Sequence, residues 1–499
     1  MQFVYFCLLP FFAGTGVSAL LCSRKNDVAR KIKNVKQTKN EMQMKRIFPL
    51  LAIVLLLAGC HKPSVKIVPI TKYDKEAWLS EENLEKIPML PARVDNTLRN
   101  ICPAHRISDG DTIPPLAGEV TLLPLASTPD FHIGMIEEIY TDDDLLFILG
   151  AETEGDEVFV PEIKERAGFI FRKNGKLVAQ LKPTDVDKDK TPIVMAVNRQ
   201  AKEVCLMYCG VNYCDGDLLS YDSDGELLSY DYEGNLLRHE VVFFKDGSIM
   251  GFTQNHLISN FGRAFSFAPQ LMVRDPEGMP HGYILTRRTK SYTIGRGVRE
   301  ASLSNCGDEL FYTTEHSDTI WQVGPEGAVA RYLVSGDSVG VDSLLLDNNI
   351  STSSYQWGLA TENRFVPRIG DYPLLVSPDF LLCRYLKPTN VKINEEKEGK
   401  IVSWSHGAQF PFLVYDRKTG KSYWTWGRTS KWTLQGLCLS EAQALTTDGT
   451  LISSQRPAKL KYYLAHNREY ELDSKTQAFI KKLDIKANPV LLLMPLKHF

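Results

Sequence analysis

From Gly118 to the end of the chain, short apolar runs alternate with polar turns. The runs are rich in Val, Ile, Leu, Phe and Tyr, and the turns are rich in Gly, Asp and Asn. This pattern is typical of many short antiparallel strands. Within Phe169 to Val178, for example, Asn174-Gly175 supplies the left-handed turn residues of a hairpin. Helical periodicity in this region is nearly absent until Ser474 to Lys486, which predicts one short C-terminal helix.

Candidate turn glycines recur about every fifty residues. Gly234, Gly247 and Gly449 also resemble hairpin turns, but the set that is in phase consists of Gly175, Gly225, Gly278, Gly327, Gly370 and Gly420. One four-stranded propeller blade has this period, so six turns indicate six blades. A local doublet lies on top of this period, because Leu219 to Gly225 is repeated nine residues later as Leu228 to Gly234.

A lone four-stranded sheet cannot bury both of its faces. Radial stacking hides the apolar faces between neighbours and leaves only short edges. We therefore predict an all-β chain, with a six-bladed β-propeller of four-stranded antiparallel blades over residues 118–499. The ring must close, and Val120 to Leu125 or Val490 to Pro495 could complete a shared blade from opposite ends of the chain.

Residues 60–117 form an irregular N-terminal tether and lead-in. Prolines at 88, 91, 103, 114 and 115 discourage regular structure. A short helix is predicted near Lys75 to Lys86, where Trp78, Leu79 and Leu84 share a face.

A targeting signal precedes this lead-in. Residues 44–59 contain Lys45 and Arg46, then an apolar stretch to Ala58 that is too short to span a bilayer. Leu57-Ala-Gly-Cys60 resembles the lipobox of bacterial lipoproteins, which implies cleavage before Cys60 and lipid on its thiol. Residues 1–43 would misplace such a signal, so we interpret them as a gene-start error. The alternative is a true membrane helix with a basic flank.

Several strand-and-turn motifs resemble those of the six-bladed β-propeller lipoproteins of Bacteroidetes. They are Val120 to Leu125, Ile133 to Ile139, Asp142 to Ile148, His316 to Val323, Ala330 to Tyr332, Tyr415 to Gly420 and Asn488 to Leu491. The resemblance covers most of residues 118–499 and implies the fold. It implies no catalytic residues, because the family is largely uncharacterised. The cysteine cluster near residue 209 and the doublet are departures from the family's pattern.

The charge of the mature chain excludes one class of partner. After Cys60 the chain carries 49 basic and 58 acidic residues, a net charge of −9. Nucleic-acid binding needs a basic footprint, so we expect no nucleic-acid partner. We expect the membrane to be contacted through the lipid on Cys60. Apolar residues make up 43% of the chain, which is enough for a large core.

The motifs that suggest metal or catalytic chemistry are incomplete. Cys205, Cys209 and Cys214 lack the spacing of a zinc site, which favours buried thiols or one disulfide. Asp185 to Asp189 lacks the later ligands of a calcium loop. Gly336 to Gly340 matches a nucleophile elbow without the surrounding α/β repeat. We predict no metal and no cofactor, and we assign no catalytic residue.

The best binding candidate is aromatic. Trp404, Trp424, Trp426 and Trp432 lie close together in sequence, and polar groups flank them. Such rings suit stacking on sugars or peptide side chains. The predicted ligand-binding residues are Trp404, His406, Trp426 and Arg428. The alternative is packing between blades, which the period-two spacing of Trp424 and Trp426 favours.

Three functional hypotheses follow, of which the last is an assembly subunit of a larger envelope complex. The first is a non-enzymatic lipoprotein of the cell envelope, on the outer membrane and facing the periplasm or the cell surface. Its loop face would bind a peptide, an envelope protein or a glycan. The second is a hydrolase or lyase acting on polysaccharide or peptide, with a site built from loops of several blades.

Overall fold

The computed structural model describes most of the chain after Lys86. The described residues are 87–103, 105–106, 117–128, 130–154, 162–183, 186, 189–214, 217–221, 224–243, 250–260, 269–276, 278–286, 301–314, 317–335, 366–367, 373–395, 401–409, 411–426, 433–466 and 472–499. Only the backbone is described at 105–106, 154, 162, 211–214, 217–221, 224, 241–243, 269–270, 286, 301, 314, 366–367, 386–395, 401–409 and 426.

The described strands form six antiparallel sheets, which we name blades A to F in chain order. Blade A contains β5 (Met135–Asp142), β6 (Leu145–Glu154), β7 (Glu162–Arg172) and β8 (Leu177–Leu181). Blade B contains β9 (Lys190–Asn198), β10 (Glu203–Cys214), β11 (Asp217–Tyr221), β12 (Asp224–Asp231) and β13 (Leu236–Phe243). Blade C contains β14 (Met250–Thr253), β15 (His256–Asn260), β16 (Pro269–Arg274) and β17 (Pro280–Thr286).

The other three blades include strands from both ends of the described chain. Blade D contains β18 (Ala301–Cys306), β19 (Glu309–Thr314), β20 (Thr319–Gly324) and β21 (Gly327–Val334), with β1 (Ala92–Arg93) and β2 (Arg99–Ile101) on its rim. Blade E contains β22 (Val366–Pro367), β23 (Leu375–Val376), β24 (Phe380–Glu395), β25 (Ile401–Gln409), β26 (Pro411–Asp416) and β27 (Ser422–Trp426), with β3 (His105–Arg106) on its rim. Blade F contains β28 (Ala442–Leu445), β29 (Thr450–Gln455), β30 (Val490–Pro495) and β4 (Thr121–Pro124).

The six blades form a closed ring, which confirms the predicted propeller. With the four main strands of blade E counted as β23, β24, β26 and β27, the first strand of each blade contacts the first strand of the next, and β28 of blade F returns to β5 of blade A. Six hydrophobic clusters lie one at each interface between neighbouring blades. Because both faces of a blade are covered, all of Leu145 to Leu149 is buried. Each such side chain contributes about 1.5–3 kcal/mol to the stability of the fold.

Blade F closes the ring with strands from both ends of the described chain. Residues 490–493 of β30 pair antiparallel with β4, as the two apolar segments predict. The last two residues also dock, against blade E. His498 Nδ1 lies 3.0 Å from the buried carboxylate of Asp416, the backbone N–H of Phe499 donates to it, and the His498 ring stacks on Phe380.

The described part of the lead-in forms a strap along the outer edges of the blades. The Leu90 N–H donates to the carbonyl oxygen of Tyr283 in the outermost strand of blade C, and the Tyr283 N–H donates to the carbonyl oxygen of Pro88. Strands β1 and β2 then pair parallel with β21 of blade D, and β3 pairs parallel with β27 of blade E. This passage, residues 87–106, covers edges that would otherwise be open to other chains.

The turn glycines reveal one error in the predicted set. Gly175, Gly278 and Gly420 each lie between the third and fourth strands of a blade, as predicted, and Gly327 is the first residue of the fourth strand of blade D; all four have positive φ. The prediction that Gly225 is a turn residue is wrong, because Gly225 lies within β12 and pairs with Val242. The turn of blade B instead uses Gly234, at φ +90°, where a Cβ would clash with Ala179 of blade A. Gly370 lies outside the described residues.

Blades B and E each carry a hairpin extension beyond their second strand. β10 pairs with β12 through its first half and with β11 through its second half, so the doublet supplies two successive strands. β24 likewise pairs first with β26 and then with β25.

Three helices appear among the described residues, α1 (Leu434–Ser440), α2 (Pro457–His466) and α3 (Ser474–Lys482). The last of these is the predicted C-terminal helix. Asp473 caps it by accepting a hydrogen bond from the backbone N–H of Thr476. Helix α1 leads into blade F, whereas α2 and α3 are inserted between its strands β29 and β30.

The two faces of the ring differ in the length of their connections. On the short-turn face, every link between first and second strands and between third and fourth strands has two to five residues. On the opposite, long-loop face lie the hairpin extensions of blades B and E, and there β17 ends and β18 begins, with fourteen residues between them in the sequence.

Candidate functional site

The structure places the predicted ligand-binding residues on blade E only in part. Trp404 and His406 lie on β25, and Trp426 is the last residue of β27. Their side chains are among those not described, and Arg428 and Cys60 lie outside the described residues. The backbone register pairs Trp404 with Ile393 and Trp426 with Pro411. Extended strand would separate these two rows by about 23 Å, so blade E does not bring the two tryptophans together along the sheet.

Trp424, the partner of Trp426 in the period-two pattern, is a core residue. It is 5% exposed and packs edge-to-face on Tyr385 at 4.9 Å between ring centroids. Both rings belong to the cluster between blades D and E. Trp424 therefore packs between blades, as the alternative interpretation proposes.

The cysteine cluster is structural where it is described. The thiols of Cys205 and Cys209 are buried in β10, and neither forms a disulfide with a described residue. Burial raises the pKa of the Cys205 thiol to about 12, and Ser229 hydrogen-bonds its sulfur at 3.2 Å. A thiol held protonated in this way is a poor nucleophile and a poor metal ligand. Most of Asp185 to Asp189 and all of Gly336 to Gly340 lie outside the described residues.

On the short-turn face, Arg199 closes the end of the central channel. It lies in the first turn of blade B and donates to the carbonyl oxygens of Thr141 in blade A (2.8 Å) and Gly307 in blade D (3.2 Å). Blades A and D are opposite each other in the ring, so the guanidinium lies near the axis. Its Nε is 3.6 Å from Asp142 Oδ1. The neighbouring carboxylate therefore balances the charge of this largely buried group.

Asp142 connects further groups to this plug. Lys202 lies 2.8 Å from both Asp142 and Asp143, and the Tyr232 hydroxyl donates to Asp142 at 2.6 Å. The hydrogen bonds that Lys202 donates to both carboxylates raise its pKa. Asp142 and Asp143 therefore join blades A and B at the polar end of this hairpin.

A shallow depression of about 190 Å³, partly open to solvent, lies beside Arg199. Turn residues of blades B, C and D line it, including Asn198, Gln254 and Asp308. Its polar groups already bond within the protein, because Thr253 Oγ1 donates to Asp308 and Asn305 Nδ2 donates to Phe252. The depression is therefore a gap between turns that bond to one another, and we do not assign a ligand to it.

The best candidate site among the described residues is an ionic cluster at the long-loop end of blade B. Lys190 Nζ lies 2.6 Å from Glu226 Oε1, and His239 Nε2 lies 2.7 Å from Glu226 Oε2. We name these three residues the KEH cluster. They share the face of the blade that is turned toward blade A, because neighbouring Leu228 and Tyr208 pack in the cluster between blades A and B.

Local sequence explains how the KEH cluster assembles. Lys190 lies on β9 and Glu226 on β12, with β10 between them. Lys190 is paired with Gly210 of β10, which has no side chain to block the ammonium from reaching Glu226. His239, on β13, approaches Glu226 from the other side.

The electrostatics of the KEH cluster favour an ionised Glu226. Burial opposes its charge, but hydrogen bonds from Lys190 and His239 outweigh burial and lower the pKa of the carboxyl. His239 Nε2 faces Glu226 Oε2, and its Nδ1 has no hydrogen-bond partner among the described residues. The His239 side chain is 28% exposed. The arrangement therefore leaves one ring nitrogen for a hydrogen bond with a bound molecule.

Sequence reasoning missed the KEH cluster. Its members lie on three strands, at positions 190, 226 and 239, and no short motif contains two of them. The only usable signal is a strand-borne histidine and a strand-borne glutamate on the same face of one blade. That signal requires the register of β12 and β13, which a bulge between Ser229 and Tyr230 shifts.

Two features that the described residues lack concern metals and membranes. No group of three or more His, Cys, Asp or Glu side chains in the described part of the chain has the geometry to hold a metal ion. Across those same ranges, no helix combines the length and the apolar character of a membrane span.

Comparison with known proteins supports the fold and little else. No known family and no curated protein matches the sequence. Among solved structures, the chain is similar to a "Putative exported protein" from Bacteroides fragilis, with 15% identity and a TM-score of 0.55 over 80% of this chain and 100% of that one. The β-propeller domain of the Trilobed protease from Pyrococcus furiosus gives 11% identity and a TM-score of 0.32 over 66% and 78%. An oligogalacturonate lyase in complex with manganese gives 10% and 0.32 over 74% and 79%.

Proposed function

We propose that this chain is an envelope lipoprotein, anchored through lipid on Cys60, whose propeller binds a peptide, protein or glycan on its long-loop face without catalysis. One observation carries the choice of face. Arg199 and the short turns around it close the opposite end of the channel with groups that bond within the protein. Propellers usually recognise ligands through variable connections, and the hairpin extensions of blades B and E lie on the other face.

The chemistry of the long-loop face supports a polar ligand with flat apolar parts. The extension of blade E carries Trp404 and His406, and blade B contributes the KEH cluster with its exposed histidine. Aromatic faces beside hydrogen-bonding groups suit sugar rings and peptide side chains. Membership of the Bacteroidetes lipoprotein family and a place on the outer membrane belong to the same proposal, and they rest on the signal at 44–59 and the motifs quoted above.

Anchoring is tested first. Cys60→Ala should release the protein from the membrane fraction, whereas Cys102→Ser should leave it there. Intact mass of the native protein should show lipid on an N-terminal Cys60. A native peptide from residues 25–41 would contradict the proposed start and signal.

Ligand binding is tested with residues 61–499 on glycan and peptide arrays. Trp404→Ala and His239→Gln should each weaken the binding of any hit by about tenfold or more, since each removes one anchoring contact. Arg172→Ala, on the short-turn face, should leave it unchanged. Binding that depends on Arg172 and ignores both long-loop residues would contradict the proposed face.

A second function, hydrolase or lyase, is favoured by one feature only. Glu226 orients His239 in the manner of a carboxylate that positions a general base. If this is the function, arrayed ligands should be cleaved, and His239→Gln should abolish cleavage while leaving binding measurable. Intact ligand recovered after prolonged incubation would support the non-enzymatic proposal.

A further inference from the structure

Two histidines of blade C lie side by side at the short-turn face. His256 is the first residue of β15, and His281 is the second residue of β17. Their ring centroids are 5.4 Å apart, and the planes of the rings are inclined at 67°. His256 is half-buried and His281 is exposed, so both rings are open to small solutes. No sequence motif pairs these two residues, because the whole of β16 lies between them.

Each ring uses one nitrogen to bond a backbone carbonyl group. His256 Nδ1 lies 2.8 Å from the carbonyl oxygen of Gln254, and His281 Nε2 lies 3.2 Å from that of Pro325 in blade D. A carbonyl oxygen can only accept, so these two nitrogens carry protons. In the neutral rings the lone pairs are therefore on His256 Nε2 and His281 Nδ1, and neither atom has a hydrogen-bond partner among the described residues.

This arrangement is the one in which histidine binds a metal ion. A metal-binding imidazole usually donates its other N–H to a carbonyl or carboxylate group, which fixes the tautomer and the orientation of the ring. Both rings already have that outer partner. No hydrogen bond between the rings explains their closeness, because the N–H of each is directed at a carbonyl group.

The spacing of the two rings suits one shared ion. With a metal–nitrogen bond of about 2.1 Å, each ring centroid lies about 3 Å from the ion, so two imidazoles on a tetrahedral ion have centroids about 5 Å apart. The observed separation of 5.4 Å is close to this value. Imidazole nitrogen suits zinc and copper, whereas calcium and magnesium prefer oxygen ligands.

The backbone beneath both rings is well ordered. Gln254 and Asn255 form the two-residue turn before β15, with φ of 49° and 60°, as a type I′ hairpin turn requires. Strand β16 pairs with β15 on one side and with β17 on the other. Ligands that are carried by strands of one sheet are positioned before the ion arrives, so no loop has to become ordered when it binds.

We propose that His256 Nε2 and His281 Nδ1 together bind one divalent zinc or copper ion at the short-turn face of blade C. Two imidazoles are fewer than the three or four side chains of most zinc sites, so water completes the coordination. The ion joins the first hairpin of the blade to its last strand, and the bond from His281 to Pro325 extends this link to blade D. The site stabilises the ring and does not depend on the function proposed above.

Titration of the full chain, purified in detergent, with Zn²⁺ or Cu²⁺ tests the site. The tightest site should bind one ion per chain, and Cu²⁺ should bind more tightly than Zn²⁺. His256→Gln and His281→Gln should each weaken binding at least as much as the loss of an outer partner, which costs about 10- to 100-fold in affinity. His466→Gln is the matched control, because His466 Nδ1 lies 3.0 Å from a carbonyl oxygen but its ring stacks on Tyr462 instead of a second histidine. It should leave the affinity unchanged.

Two measurements on the unmodified protein guard against a folding defect in the variants. Cu²⁺ with ascorbate and oxygen oxidises the side chains that hold the ion, so mass spectrometry should find oxidised His256 and His281 but intact His466. The melting temperature should rise with added Zn²⁺ and should not respond to the same concentration of Mg²⁺. Binding that survives both substitutions at positions 256 and 281, or oxidation spread evenly over the histidines, would overturn the proposal. So would the failure of both metals to bind below about 1 mM.

Discussion

The short-turn face and the long-loop face of this propeller follow different rules. Nearly every described residue with positive φ lies in a turn of the short-turn face, including Asp143, Lys202, Gln254 and Asn255; Leu285 is the exception among the described residues. The ionic network around Arg199 and the docking of the C-terminus are on this face as well. The long-loop face has the hairpin extensions and the KEH cluster. One face therefore holds the ring together, which leaves the other free to carry recognition.

Substitution of a turn glycine should break this contrast most strongly. Gly327 has φ +119°, and a Cβ there would clash with the carbonyl oxygen of Pro91 in the strap. Gly327→Ala should lower the free energy of unfolding by roughly 4 kcal/mol, because backbone strain and a steric clash add. Gly420→Ala is the matched control, since it also has positive φ but open space around it, and it should lose only about 1 kcal/mol. If urea unfolding shows equal losses of unfolding free energy for the two variants, contact between the strap and Gly327 does not contribute to stability.

The channel plug should give the next largest effect. Arg199→Met leaves two backbone carbonyl oxygens without their donor and removes one of the two cations beside Asp142, so it should cost about 3 kcal/mol of unfolding free energy. Arg172→Met removes an exposed pair with Asp144 and should cost under about 0.5 kcal/mol. If the two variants melt at the same temperature, Arg199 does not join the blades across the axis.

Acid should weaken the short-turn face through Asp416. Burial opposes its charge, but the backbone N–H of Thr419, the His498 ring and the N–H groups of Phe499 and Lys418 together lower the pKa of Asp416. Its folded pKa lies below the ordinary value of about 3.9, so its stabilisation is complete above that pH and is lost as pH falls through the folded pKa.

Asp416→Asn should therefore cost about 2 kcal/mol at pH 7 and progressively less as the pH falls below about 3.9. Unfolding free energies measured across this range check the prediction. Glu226→Gln provides the comparison at the long-loop end, where a lowered carboxyl pKa predicts a loss of the same sign. A deficit for Asp416→Asn that grows on acidification would contradict the assigned direction.

The smallest expected effect on stability is at His239. His239→Gln keeps a donor toward Glu226 at a 28% exposed position, so the change should stay within about 0.5 kcal/mol. Thermal unfolding checks this. A large loss of stability would show that His239 has a structural role, and the long-loop face would then resemble the short-turn face.

Much of the fold could be predicted because most strands of a blade are neighbours in the sequence. Each hairpin is encoded by apolar runs around a turn, so strand content, blade size and the closing segments at 120–125 and 490–495 are legible in the sequence. The blade count was correct although Gly225 was the wrong glycine, because Gly234, nine residues away in the doublet, keeps nearly the same period.

The strap and the KEH cluster could not be predicted, because they depend on contacts between distant parts of the chain. The proline-rich stretch that suggests irregular structure also supplies edge contacts, with Pro88 and Pro91 accepting hydrogen bonds through their carbonyls. Lys190 reaches Glu226 only because Gly210 lies between them in register. The binding site on blade E remains a prediction, since the side chains of Trp404, His406 and Trp426 are outside those described.

The pairing of β4 with β30 sets the order in which this protein can mature. β4 leaves the ribosome early, and the partner that it needs is synthesised more than three hundred residues later. Until then β4 has no stable place, and blade A lacks the neighbour that shields its apolar side. Such distant pairing slows folding and exposes unfinished sheets to aggregation. A chain cut short anywhere before Val490 would therefore be a substrate for chaperones and proteases rather than a smaller propeller.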